Sequence, residues 1–185
     1  MDDHVAAILA EWGAERPDLD VTAVGVFGRI SRIEQYKSAV LAGVYQRHRV
    51  DSGEYDVLAA LRRAGSPYRL TPSQLYRSLL VTSATMTERL DRLERRRLVR
   101  RRPNPADRRS VQVELTARGR TIIDAAASDL VAVETALLDG LSRQEVATLA
   151  TLLTKLSAHL EQGDRDRSMP PSTRPAGTRI RFPDA

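Results

Sequence analysis

Between Thr71 and Leu115 the chain concentrates the side chains that can hold a polyanion. Eleven arginines stand against five acids (Glu88, Asp91, Glu94, Asp107 and Glu114), a formal charge of +6, while the whole chain carries +5. All remaining residues together therefore sum to −1, and the basicity is local. The planar fork of arginine suits bidentate contact with phosphate and with guanine. A compositional bias of the genome would also favour arginine, since lysine occurs only at Lys37 and Lys155. Short hydroxyl side chains, Thr82, Ser83, Thr85 and Thr87, open the amphipathic run that contains Arg89. On a helix laid into a DNA groove, residues of these types can reach base edges.

Other chemistry is poorly supplied. Cysteine is absent, which excludes disulfides and thiolate metal sites. His4, His48 and His159 are far apart and lack metal-ligand spacing, so no metal site is expected. No nucleophile stands beside a base and no phosphate-binding loop is present, so neither an enzyme nor a cofactor is expected. No stretch approaches membrane-spanning length, and MDDHVAAILAEW lacks the basic start of a secretion signal. A cytoplasmic protein without a membrane partner is the expectation.

The elements that must position these residues read as mainly helical. TPSQLYRSLLV has Thr71 as N-cap, Pro72 at the first helical position and Gln74 as capping-box partner. SATMTERLDRLERRRL follows, with Met86, Leu90, Leu93 and Leu98 on one side. VRRR, a PNPADRRS turn and VQVEL then suit a hairpin with arginines at its tip. Upstream, residues 1–20 form a short acidic helix and turn, with Val5, Ile8, Leu9 and Trp12 at amphipathic spacing. Residues 21–50 form a long helix, with Val24, Phe27, Ile30, Ile33, Val40, Leu41, Val44 and Tyr45 recurring at three and four. Asp51 or Ser52 caps another through EYDVLAALRRA.

Downstream, Thr116 starts a helix whose Ile122, Ile123, Ala126, Leu130, Val133 and Leu137 make a near-heptad stripe. Ser142 and Glu145 form a capping box for a last helix carrying Val146, Leu149, Leu152, Leu153, Leu156 and Leu160. The two helices either form a dimer interface or pack inside one monomer against residues 21–50. From residue 163 the composition is that of a disordered, mildly basic tail, which either adds phosphate contacts or does nothing.

The segments TSATMTERLDRLERRRLV and PADRRSVQVELTARG, with D-R-R, a strand and L-T-x-x-G in succession, resemble the MarR family of winged-helix regulators over about residues 21–161. Arg97 departs from the pattern, which usually has glycine there. The resemblance implies an α+β fold, mainly α with a small β-hairpin wing: a winged helix-turn-helix that dimerises through its N- and C-terminal helices. It implies an extra helix and turn at 1–20, a winged domain at 21–162 whose DNA-reading part is 51–115, and the tail. The implied partner is a pseudo-palindromic operator in double-stranded DNA, contacted by Thr82, Ser83, Thr85, Thr87 and Arg89 and, from the wing tip, by Arg108 and Arg109.

A narrower resemblance, through the tryptophan-bearing helix, ERPDLD and EYDVLAALRRAG, is to the urate-responsive, HucR- and PecS-like branch. It implies an anionic effector held by Trp12, Asp56, Arg89 and Arg101, with Asp56 paired to Arg89 before the effector arrives. The alternatives are packing for Trp12 and a structural ion pair for Asp56 and Arg89. At the level of function they are a regulator answering phenolic or other aromatic compounds, or an architectural DNA-binding protein.

Overall fold

The computed structural model describes residues 3–104 and 107–168, with residues 107–109 and 164–168 followed by their backbone alone. The chain divides after Ala136. The first unit begins with α1 (His4–Glu15), capped by Asp3, whose carboxylate accepts from the Val5 N–H at 3.0 Å. Val5 and Leu9 lie directly over Gly28 and Gly25 of α2 (Thr22–Arg47), so α1 packs close on that helix.

Only part of α2 is covered. Leu41 and Val44 are buried against Leu130, but Val24, Phe27, Ile33 and Val40 of the same apolar row are exposed. The cause is length: α1, α3 and α6 cover one side of a 26-residue helix. Among the described residues, Val24, Phe27 and Val40 are only about half covered and Ile33 less than half.

α3 (Ser52–Arg63) carries a full capping box between Asp51 and Glu54 and buries Val57 to Leu61 without a break. With Leu75, Met86, Leu90, Leu93, Leu98, Val113, Leu115 and Ile123 these residues form the core. Truncating any one of the leucines to alanine would cost about 2–5 kcal/mol. A two-residue strand, β1 (Arg69–Leu70), precedes α4 (Pro72–Ser78) and pairs antiparallel with the wing; periodicity does not reveal it. Thr71, Pro72 and Gln74 cap α4 as expected, and α5 (Ser83–Arg95) begins at the Thr82 N-cap.

The wing is β2 (Val99–Asn104) and β3 (Asp107–Leu115), in a sheet of order β1-β3-β2. The turn expected over 103–110 is mostly strand. Register runs from Val99 opposite Leu115 to Asn104 opposite Asp107, with an irregularity at Pro103 and Asn104 that absorbs the proline. Arg108 and Arg109 thus stand on the β3 backbone rather than in a turn; their side chains, and residues 105–106, lie outside the described residues.

α6 (Ala117–Ala136) closes the unit. Most of its stripe turns inward: Ile123, Ala126 and Leu130 are buried, and Ile122 and Val133 pack on the same clusters, while Leu137, just past the helix end, is exposed. The second unit holds α7 (Arg143–Ser168), capped by Ser142 and Glu145. Leu149, Leu152, Leu153 and Leu160 are exposed along it. The helix runs through 163–168, the first residues of the expected disordered tail; residues 169–185 lie outside the described residues. Among the described residues no helix is long and apolar enough to cross a membrane.

Candidate nucleic-acid interface

Burial of Met86, Leu90 and Leu93 fixes which face of α5 is inward and leaves its N-terminal rim in solvent. Thr82 and Ser83 stand on that rim. The Thr85 N–H donates to the Thr82 hydroxyl at 3.2 Å, the two hydroxyls are 2.9 Å apart, and the Thr87 hydroxyl donates to the Ser83 carbonyl at 2.9 Å. Three of the expected readers therefore also hold the helix start. Each retains lone pairs for a base edge.

Many of the arginines are engaged by the chain itself. Arg89, Arg92 and Arg96, at spacings of three and four, turn toward the first turn of α3. The Arg89 guanidinium lies so close to Gly53 that a Cβ there would sit 2.5 Å from its Nε and Cζ. Arg92 donates to Asp51 at 3.0 Å and to Glu88 at 3.1 Å, and Arg96 to Glu54 at 2.6 Å and to the Arg49 carbonyl.

Arg101 donates to Asp91 and Glu94, both at 2.6 Å, which ties the wing to α5. Arg69 at 3.2 Å, Arg102 at 2.7 Å and Arg100 converge on the buried Glu114, and the Arg100 guanidinium leads in holding that carboxyl below its usual range. The capping-box spacing of Asp51 and Glu54 marks the acids that meet α5. Nothing in the sequence places arginines some forty residues away upon them.

One joint holds recognition helix, wing and α6. Arg97 has φ of 58°, the left-handed conformation that favours glycine. Its N–H donates to the Glu94 carbonyl at 2.8 Å and that of Leu98 to the Leu93 carbonyl at 3.0 Å, the paired bonds of a Schellman end. The Thr116 hydroxyl donates to the Arg97 carbonyl at 2.8 Å and accepts from the Gly119 N–H at 3.0 Å. A Cβ on Gly119 would come within 2.1 Å of the Leu98 carbonyl oxygen, so the glycine of L-T-x-x-G lets α6 touch the root of the wing.

Of the four expected effector residues, Asp56 alone lines a cleft, and Arg89 bears on it through charge. Asp56 lines a cleft of about 560 Å³ between α2, α3 and α6, with Glu34, Lys37, Tyr45, Tyr55 and Glu134. The two tyrosine rings lie 5.5 Å apart. Crowding by the protein pushes the Asp56 carboxyl above its ordinary value, against the opposing charges of Arg89 and Arg63 and with help from Asp51. Arg89 acts on Asp56 through this charge; the direct ion pair expected between them is not formed, Asp56 having no cation within 4.0 Å among the described residues. Trp12, 45% exposed, borders a shallow depression with Glu11 and Glu15 instead, and Arg101 is engaged by Asp91 and Glu94.

Comparison with known proteins decides the family. A profile described as MarR family matches residues 50–110. The transcriptional regulator PecS of Dickeya dadantii (strain 3937) is 38% identical over 157 residues, 85% of this chain and 95% of PecS. The chain belongs to the MarR family. A mutant MarR from E. coli, solved in complex with operator DNA, superposes with a TM-score of 0.63 at 32% identity, covering 74% of this chain and 96% of that one. BpsR of Bordetella bronchiseptica, whose DNA binding is regulated by 6-hydroxynicotinic acid, gives a TM-score of 0.63 at 26% identity over 71% of this chain and 92% of its own. This MarR-family, PecS-like chain is thus a winged-helix, DNA-binding transcriptional regulator and not an enzyme.

Proposed function

We propose that the protein is a cytoplasmic, homodimeric repressor that leaves a pseudo-palindromic operator when a small planar anion, with urate as the leading example, reaches the cleft beside Asp56. The carrying observation is Asp56 itself: a carboxyl raised by crowding on α3, in a cleft wide enough for such a molecule, acting electrostatically on an arginine of the recognition helix. An anion drawn to Arg89 repels the Asp56 carboxylate and disturbs the contact of α5 with α3. The regulation of BpsR by a planar heteroaromatic acid supports the ligand class. Trp12 and Arg101 enter this reading through the resemblance alone. Ser83, Thr85, Thr87 and Thr82 would face base edges, and Arg108 and Arg109 the flanking groove.

Moving the operator from nearly full occupancy to nearly full release needs about 5.5 kcal/mol of differential affinity, which two effector sites in a symmetric dimer supply jointly. A phenolic or other aromatic effector is the second reading. It is favoured by the paired rings of Tyr45 and Tyr55 and by Glu34 and Glu134, whose charges oppose an anion. Fluorescence anisotropy on labelled operator tests both. Asp56→Ala and Trp12→Phe should blunt urate-driven release more than basal binding; equal loss of both would remove the cleft from the reading.

A further inference from the structure

We propose that Glu54 is a positioning residue for DNA reading: held by the capping box of α3, its buried carboxylate sets how α5 is presented to the groove by gripping Arg96 and Arg92. Four observations converge on it. Glu54 is only 5% exposed, the most buried acid among the described residues. Its carboxylate accepts from the Asp51 N–H at 3.2 Å, while the Asp51 carboxylate accepts from the Glu54 N–H at 2.7 Å, so the rotamer is fixed from within α3. Arg96 donates to it at 2.6 Å from the last turn of α5. Arg92, one turn earlier, places its Nε 3.7 Å from the same carboxylate while its Nη2 bonds Asp51 at 3.0 Å.

Two helices that met only through apolar side chains could slide or roll on each other. Here two charged contacts one turn apart fix both register and roll. The grip is incomplete: Arg92 Nε is buried without a hydrogen-bond partner. That nitrogen lies 3.7 Å from the Glu54 carboxylate, within reach of a closer contact when DNA is bound. Glu54 touches no base and no phosphate in this scheme. It acts through the angle of Ser83, Thr85 and Thr87.

The test is Glu54→Gln in the full chain, since glutamine keeps the volume and still caps the helix. Affinity is measured for the operator selected from a random-duplex pool and for a scrambled duplex, each across a salt series. Operator affinity should fall roughly tenfold, as for the loss of one base contact, with scrambled-duplex affinity, salt slope and helical content unchanged. Arg96→Gln should weaken operator binding similarly, and the double variant should be no worse than either single one. Unchanged or raised operator affinity, an equal loss on both duplexes, or additive losses would overturn the proposal. If Glu54→Gln does not fold, Arg96→Gln, whose side chain is 34% exposed, carries the same comparison of duplexes: a loss confined to the operator supports the proposal, and an equal loss or none overturns it.

Discussion

At the scale of single residues, Arg97 and Asp56 lead to opposite expectations. Arg97 occupies a left-handed position that costs a non-glycine residue roughly 1–2 kcal/mol. Arg97→Gly should therefore stabilise the protein by about 1 kcal/mol, a rise of a few degrees in Tm in thermal unfolding; a lower Tm would mean that the side chain contributes contacts outweighing the strain. The sequence shows this position as a departure from the usual glycine, and the structure supplies the geometry.

Asp56 tests pH. Its folded-state pKa lies above the ordinary 3.8, so the folded chain holds that proton more tightly than the unfolded one. The stability this contributes is present below pH ~4 and is lost as pH rises through the folded value. The Tm of Asp56→Asn relative to wild type should be near zero at pH 3 and positive at pH 7, and a difference independent of pH would contradict the assignment. The resemblance implied a direct pair between Asp56 and Arg89, and the structure gives a charge interaction between them instead. That Arg89 lies against Gly53, with no direct ion pair to Asp56 among the described residues, depends on a close approach of helices that spacing does not encode.

At the scale of elements, caps and amphipathic faces were legible because they are local. Thr71 with Gln74, Thr82, and Ser142 with Glu145 begin their helices as their types require. The sheet was only half legible. β1 is two residues long and exists because Arg69 and Leu70 meet Glu114 and Val113 across the chain, a pairing with no periodicity to betray it. The arginine run was legible as charge but not as architecture: Arg92, Arg96, Arg100, Arg101 and Arg102 all meet carboxylates before any phosphate arrives. The wing remains an expected contact through β3. Arg109→Ala should lower operator affinity while leaving helical content and oligomeric state intact, as measured by anisotropy, circular dichroism and sedimentation. Undiminished binding would remove the wing from the reading head.

At the scale of the whole molecule, apolar faces remain exposed on α2, at Val24, Phe27, Ile33 and Val40, and on α7, at Leu149, Leu152 and Leu153. Both fit association with a second copy, whereas most of the α6 stripe is buried within the first unit. Periodicity marks an apolar face but not the surface that covers it, which is why the inward α6 and the outward row of α2 are not distinguishable by spacing. Leu152→Glu, at a side chain 60% exposed, should leave the fold intact and shift sedimentation toward monomer, with loss of operator binding; an unshifted dimer would place the interface elsewhere.

The repressor reading joins these scales, because an effector at Asp56 must act through α3 on α5, and through two copies on one operator. Its most direct test is release of wild-type protein from its selected operator on titration with urate, run alongside a few phenolic acids and a scrambled-duplex control. The expected result is saturable release by urate from an operator preferred about 10³-fold or more over the scrambled duplex. Release by phenolic acids alone would move the effector to the second reading. Operator complexes unmoved by any of these compounds would contradict the ligand-released repressor.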